Sequence, residues 1–329
     1  MKTFRTKPSV ISVFSVAIGF FWLCIATVAE AQNYPTRPIR IIALSSPGSG
    51  PDIVGRLIGS KLTEAWGQQV IVDTRPAATG IVGSEIAARS APDGHTLLIV
   101  TAQAVIVSVM YDKLPYNLIR DFAPITLVAS TPFILAVHPS VAATSVKELI
   151  ALAKSKPGQL RYGSGGSGSP PHLSAEIFRS MTGIEVLHVP YKGITPAMID
   201  TVAGQVQFLI SVVPAVLPTI RSGKLRPLGV TSAKRTALVP DLPTIAETVP
   251  GYEFIGWYSL VAPAKTPQAI LARLNAEVVK ALKTPEFHER FSGLGAETIG
   301  STQKELADYL PVQTEKMRKA VKDSGAKPD

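Results

Sequence analysis

Ile39-Arg40-Ile41-Ile42-Ala43-Leu44 runs straight into Ser45-Ser46-Pro47-Gly48-Ser49-Gly50-Pro51-Asp52, and from Asp52 to Trp66 the pattern turns helical. The opening run hardly alternates, which marks a strand covered on both faces. Glycine and proline then force a corner before the helix. This strand, corner and helix order recurs along the chain. Val70–Asp73, Thr96–Thr101 and Phe133–His138 read as further strands, with Ile81–Arg89 helical among them. Leu160–Tyr162, Val186–Val189, Val206–Ser211 and Leu228–Thr231 follow, separated by helical Pro171–Met181, Pro196–Ala203 and Pro214–Ser222. Such alternation predicts an α/β protein whose mostly parallel sheets are flanked by helices. Later the pattern is helical over Pro267–Leu282, Pro285–Ser292 and Thr302–Lys322, with little strand between. Thr266-Pro267, Thr284-Pro285 and Thr195-Pro196 each set a capping hydroxyl before a proline, predicting helix starts. No composition shift marks a linker, so the last helices are expected to pack back on the first domain.

Of the 329 residues, 46% are hydrophobic and only 17% charged, against about 25% charged in an ordinary soluble protein. Part of the apolar excess lies at the start. Lys2, Arg5 and Lys7 precede an apolar run from Val10 to Val28, and Ala29-Glu30-Ala31 follows. That order reads as a secretory signal peptide cut after Ala31, the alternative being an uncleaved membrane anchor, since the apolar run could just span a bilayer. Removing it leaves 298 residues. Three of the 33 basic and one of the 24 acidic residues go with it, so the net charge falls from +9 to +7. The only cysteine, Cys24, also goes, excluding disulfides, thiolate metal sites and a thiol nucleophile. Leu23 stands where a lipidated cysteine wants a small neighbour. The length suggests two domains, each with a core able to stand alone. An exported, cysteine-free chain of this kind belongs in a bacterial periplasm.

Two glycine-rich corners carry the chemistry. One is the Ser45–Asp52 stretch; the other is Tyr162-Gly163-Ser164-Gly165-Gly166-Ser167-Gly168-Ser169-Pro170-Pro171-His172. Glycine lets backbone N–H groups approach a ligand, and the unpaired N–H groups of a helix start favour an anion. Two such corners facing each other across a cleft could hold both oxygens of a carboxylate; the alternative is that each is only a tight turn. A dinucleotide site fits poorly. Asp73 ends a second strand as a ribose ligand would, but the glycines are spaced Gly48-x-Gly50-x-x-x-x-Gly55 and Pro51 sits where pyrophosphate is cradled. No G-x-S-x-G elbow occurs, and no nucleophile–base pair can be grouped. The five histidines, His95, His138, His172, His188 and His288, are scattered without metal-ligand spacing. A charge of +7 is too mild and dispersed for nucleic acid. The basic run Lys316, Arg318, Lys319 and Lys322 reads as a solvated helix face.

At these corners the chain resembles the Bug-type solute-binding proteins of the tripartite tricarboxylate transporter family, from Tyr34-Pro35 to about Ala326. The first corner with Arg56, Thr74-Arg75-Pro76, Pro92-Asp93-Gly94-His95-Thr96-Leu97-Leu98, Leu114-Pro115-Tyr116 with Asp121-Phe122, and the Gly165–His172 corner with Leu173 carry the resemblance. So do His188-Val189-Pro190-Tyr191-Lys192-Gly193, Gly204-Gln205-Val206, Gly223-Lys224-Leu225 with Val230-Thr231-Ser232, Pro243-Thr244 with Ala246-Glu247, and Trp257. The resemblance implies a two-lobed periplasmic-binding-protein fold of type II kind, with crossing strands joining the lobes. Lobe 1 would span 32–135 plus 255–329, and lobe 2 would span 136–254. It implies no enzyme and no cofactor. The chain would work as a monomer that passes a small organic carboxylate to a membrane permease, or that docks ligand-loaded on a sensor receptor; an exported enzyme using the same cleft is the remaining alternative.

By the same resemblance, Gly48, Ser49 and Gly50 of lobe 1 and Ser164, Gly165, Ser167, Gly168 and Ser169 of lobe 2 would grip the carboxylate. Pro47, lacking an N–H, would only shape its loop. Gln103 and Ala104 would line the cleft, with Tyr191 opening a similarly placed helix. His172 would brace the second loop or touch the ligand, and Asp52 would cap its helix or reach ligand or water. Three departures from the family pattern stand out. Gly48-Ser49 replaces a glycine pair and adds a hydroxyl donor. Thr74-Arg75-Pro76-Ala77-Ala78-Thr79-Gly80 is stiffer than the usual glycine-rich run. Gln207 and Ser211 stand where relatives carry acids, so with Ser211 facing the cleft no carboxylate would await an ammonium. The expected ligand is therefore a carboxylate without an amine, such as a dicarboxylate, hydroxy acid or aromatic acid.

Overall fold

The computed structural model describes residues 34–75 and 80–327; the expected signal peptide and the Pro76–Thr79 part of the second departure lie outside them. β1 (Ile39–Ala43), α1 (Gly50–Trp66), β2 (Val70–Thr74), α2 (Ile81–Ala88), β3 (Thr96–Thr101) and α3 (Ala102–Met110) lead into a long strand, β4 (Phe122–Val137). Then come α4 (Val146–Ser155), β5 (Arg161–Ser164), α5 (Pro170–Thr182), β6 (Leu187–Pro190), α6 (Ile194–Val202), β7 (Phe208–Val212), α7 (Val213–Arg221) and β8 (Arg226–Val230). The chain returns through β9 (Ile255–Pro263) and closes with α8 (Gln268–Leu282), α9 (Pro285–Gly293), β10 (Glu297–Thr298) and α10 (Gln303–Ser324).

The strands run in the order β2-β1-β3-β9-β4-β7-β5-β6, with β10 and β8 also paired to β4. β4 is the crossing strand. Up to Pro132 it pairs with β9, and from Phe133 onward with β7 and β8. β1, β2 and β3 are mutually parallel, as are β5, β6 and β7. In the first half β9 runs against β3 and β4 and the short β10 also runs against β4, while in the second half β4 runs against β7 and β8. The two-lobed, mostly parallel α/β architecture is therefore present.

Successive side chains of a strand point to opposite faces, and β1 shows this directly. Ile41 joins a layer with Val54, Ile58 and Leu62 of α1 and Leu274 of α8, whereas Ile42 joins the opposite layer. That opposite layer is continuous across both halves. It takes Val105 and Ile106 from α3 and Leu310 and Met317 from α10, together with Phe178 of α5, Tyr162 of β5 and Leu149 of α4. The expectation of two separate cores is corrected here, because α10 packs against α3 and α5 alike. A smaller layer of Leu209, Val213 and Val216 covers the other face of the second half.

The sequence missed several elements, and each omission has a cause. The first half of β4 carries Pro124, Thr126, Ser130, Thr131 and Pro132, and its register shifts at two places. Irregularities of this kind let proline sit in a strand. β9 lies between β3 and β4 and is buried nearly throughout, so Gly256, Tyr258 and Ser259 interrupt a run that burial would have made apolar. α3 is rich in β-branched residues and reads as strand by propensity. Of the three proline starts, only Thr284 caps its helix, accepting from the Phe287 N–H. Pro267 is itself the cap of α8, and α6 has already begun at Ile194.

Candidate ligand-binding site

β1, β3, β5, β6 and β7 each end at a corner that opens a helix, and carboxyl ends of strands are where open α/β sheets bind ligands. At the first corner Pro47 and Gly48 are exposed, and Gly48 has a left-handed φ of 80°. Asp52 lies beneath, 2% exposed. Its Oδ2 accepts from the Gly48 N–H at 2.8 Å, and Oδ1 pairs with Arg56 Nε at 2.9 Å. Burial pushes this carboxyl up, but Arg56 and the Gly48 N–H outweigh it and hold the group below its ordinary value. Asp52 therefore organises the loop, and the Gly48 N–H is committed to it. Ser49 likewise keeps its hydroxyl inside the corner, on Ser45 Oγ at 2.6 Å and the Ser46 carbonyl at 2.7 Å. The extra donor expected from Ser49 is thus occupied. Among the described residues, the N–H groups of Gly50 and Asp52 keep no intramolecular partner.

The second corner is braced by stacked rings. Gly168 donates to His172 Nδ1 at 3.0 Å, which makes His172 a neutral imidazole with its proton on Nε2. His172 stacks on His188 at 4.0 Å, and His188 on Tyr162 at 4.9 Å. The Tyr162 hydroxyl donates to Glu176 Oε1 at 2.5 Å, while Glu176 Oε2 meets Arg179 at 2.8 Å. Burial, and then the His172 neighbour, push His188 down to about 4 against the pull of Glu176. Ser164 is fully buried, its Oγ 2.6 Å from His188 Nε2 and 3.2 Å from the Gly166 N–H. A serine–histidine contact thus exists where the sequence offered no nucleophile–base pair. Its serine has no exposed surface, and no carboxylate hydrogen-bonds the imidazole among the described residues. Ser169 caps α5, accepting from the His172 N–H at 3.4 Å, and donates to the Gly166 carbonyl at 2.8 Å. Among the described residues, the N–H groups of Gly165 and Ser167 have no partner. Gly165 rests on the start of α6, where a Cβ would stand 3.4 Å from the Ile194 nitrogen.

Other expected residues are placed less directly. The Ala104 N–H is taken by Thr101 Oγ1 at 3.4 Å, whereas Gln103 is half-buried, its amide without a hydrogen bond among the described residues. Tyr191 commits its hydroxyl to Asp200 Oδ2 at 2.7 Å and its N–H to the Ser164 carbonyl, so it shapes the corner. Ser211 is corrected: it was expected to face the cleft, but it is fully buried beside Leu209, Ile134 and Val213 with its Oγ unpartnered.

One residue was missed altogether. Tyr258 of β9 pairs with Thr101, immediately before α3, and its hydroxyl abuts Gly50 so closely that a Cβ there would clash. No sequence pattern announces it. Across the lobes, Met110 at the end of α3 fills the space a Cβ on Gly168 would need. α3 thus starts near the first corner and ends against the second.

Backbone-lined corners at the strand ends of two lobes, joined by a crossing strand, define the two-lobed fold of the solute-binding proteins. Residues 54–326 match the family described as tripartite tricarboxylate transporter family receptor, and the chain belongs to that family. It is 34% identical over 325 residues to Protein BugT of Bordetella pertussis, covering 97% of each chain. Among solved structures, R. palustris Rpa4515 with adipate is 34% identical, with a TM-score of 0.76 over 90% of this chain and all of that one. MatC from Rhodopseudomonas palustris with bound malate is 27% identical, with a TM-score of 0.72 over 88% of this chain and all of that one. The family is described as one of transporter receptors, and both solved neighbours are named with a carboxylate. No helix among the described residues is long and apolar enough to cross a membrane.

Proposed function

We propose that this chain captures a small organic carboxylate between its lobes in the periplasm and delivers it to the permease of a tripartite tricarboxylate-type transporter. The observation that carries the reading is the set of unpartnered N–H groups on Gly50, Asp52, Gly165 and Ser167, two from each corner. Gly50 and Asp52 open α1, and Gly165 and Ser167 lie in the corner ahead of α5 with Gly165 against the start of α6; backbone dipoles at helix starts favour an anion without a cationic side chain. Gly48, Ser49, Ser164, Gly168, Ser169 and His172 hold the corners in shape, Gln103 lines the cleft, and Pro47, Ala104 and Tyr191 contribute surface. The lobes divide at 32–135 with 255–329 and at 136–254, after removal of a signal cut behind Ala31. Binding closes the cleft by differential affinity, since the anion meets both corners only in the closed state.

The ligand carries no amine. Of the acids near these corners, Asp52 is committed to Gly48 and Arg56, Glu176 is paired with Arg179, and Asp200 takes the Tyr191 hydroxyl, so each already has a partner within the fold. This argument replaces the one from Ser211. Neighbours that hold adipate and malate support the same class. A thermal-shift panel of mono-, di- and tricarboxylates and aromatic acids tests the reading. At 100 times Kd a true ligand adds about 2.7 kcal/mol, or roughly 5–11 °C at ~2–4 °C per kcal/mol. A flat response across the panel contradicts it. So does tighter binding of aspartate or glutamate than of their deaminated analogues.

A further inference from the structure

Tyr258 stands on β9, opposite Thr101 on one side and Ala129 on the other. Its ring packs at the edge of the layer formed by α1 and α8. Its hydroxyl ends beside Gly50, the first residue of α1, whose N–H is unpartnered. Among the described residues no hydrogen bond to that hydroxyl exists, although the oxygens of buried Tyr34, Tyr162 and Tyr252 are all bonded. A phenol whose ring is packed while its oxygen lacks a partner is set to meet something from outside the chain. Burial pushes the group up from its ordinary value, so it is a neutral donor at the pH of any cell compartment.

Gly50 completes the arrangement. A Cβ at this position would overlap the Tyr258 oxygen and lie 3.1 Å from Cζ. Only glycine lets the hydroxyl lie alongside the first turn of α1. Two donors, the Gly50 N–H and the Tyr258 O–H, then converge on one place at the mouth of the first corner.

We propose that Tyr258 is the specificity-determining side chain of lobe 1, donating its hydroxyl to a carboxylate oxygen of the ligand beside the Gly50 N–H. This rests on the carboxylate reading given above. It adds a side-chain donor to a site otherwise built from backbone. It also sets a polarity, because the Gly50 N–H beside the phenol can only donate and so rewards an acceptor.

Tyr258→Phe keeps the packed ring and removes only the oxygen. With the most stabilising acid of the panel as probe, titration calorimetry should show affinity falling about 10-fold to 100-fold, the range for a hydrogen bond to a charged acceptor. Without ligand, the melting temperature should stay within about 2 °C of the parent, since no internal bond is lost. Gly50→Ala should weaken the same probe by displacing the hydroxyl. In the Tyr258→Phe background Gly50→Ala should cost much less, so the two changes would be strongly non-additive. Affinity within 2-fold of the parent for Tyr258→Phe overturns the proposal while leaving carboxylate capture intact. So does full additivity of the two changes. If the parent protein binds no acid of the panel, the functional reading fails first and this one falls with it.

Discussion

Gly165→Asp separates an anion site from a mere turn, because the two alternatives predict opposite signs. The new Cβ would stand 3.4 Å from the Ile194 nitrogen and 3.6 Å from the Gly193 carbonyl carbon, ordinary contact distances. Gly165 does not have a left-handed φ, so an L-residue is accepted without strain. The added carboxylate then lies at the start of α6, whose cap Gly193 supplies no side chain. A carboxylate acting as a cap adds about 1 kcal/mol, and the helix dipole gives a partly buried anion up to ~2 kcal/mol. The unliganded protein should therefore gain about 1–2 kcal/mol, or roughly 2–8 °C in melting temperature. Ligand binding should collapse. Two carboxylates held about 5 Å apart repel by about 3 kcal/mol at an effective dielectric of about 20, more than 100-fold in affinity. Scanning calorimetry with and without the most stabilising acid reads both effects. Gly165→Ala is the control, expected to melt near the parent and to keep its ligand shift. An Asp variant that melts no higher than Gly165→Ala yet keeps the full ligand shift would refute the reasoning and make the second corner a turn only.

Three further outcomes follow from the same geometry. Asp52→Ala should destabilise the unliganded protein by about 1–3 kcal/mol, because the Gly48 N–H and Arg56 lose a charged partner; a denaturant midpoint equal to the parent's contradicts the bracing role. His172→Asn, which offers an oxygen where Nδ1 accepted the Gly168 N–H, should retain ligand affinity better than His172→Leu; equal affinities in calorimetry would mean the bond does not shape the corner. Both stacked histidines lie below their ordinary value of 6.5, chiefly through burial, His188 at about 4. The unfolded chain therefore binds more protons than the folded one across that interval. The stability they confer is complete above pH 6.5 and is lost as pH falls toward 4. Thermal melts in that window should fall more steeply for the parent than for the His172→Asn, His188→Gln double variant, and parallel slopes would contradict this.

Much of the architecture was legible because burial leaves a pattern. β1, β2 and β3 announce themselves as apolar runs, and the glycines of both corners stand where left-handed backbone at Gly48, Gly166 and Gly168 requires them. The crossing strands were harder to read. β4 tolerates prolines where its register shifts, and β9 is central enough to bury Ser259 and Gly256 against neighbours distant in sequence. The continuous layer through α10 depends on contacts between α3, α5 and α10 that no local window contains.

The site divides in the same way. Glycine and proline spacing pointed to the corners, but the sequence could not tell which donors remain for a ligand. Ser49, Gly48 and Ala104 carry the right groups and use them internally, whereas Gly50, Gly165 and Ser167 keep theirs. Hydrogen-bond accounting of this kind depends on side chains such as Asp52 and Thr101, whose direction only folding fixes. Tyr258 was invisible for another reason: it reaches Gly50 across more than 200 residues of chain. Ser211 fails as a cleft residue because alternation along β7 turns it with Leu209 into the layer beneath α7.

The most direct test of the account is the backbone amide spectrum of the protein titrated with the most stabilising carboxylate of the panel. The account predicts that the amides of Gly50 and Asp52 and those of Gly165 and Ser167 move together, saturating at one ligand per chain. Shifts confined to one corner, or saturation that leaves all four amides in place, would contradict capture between the lobes.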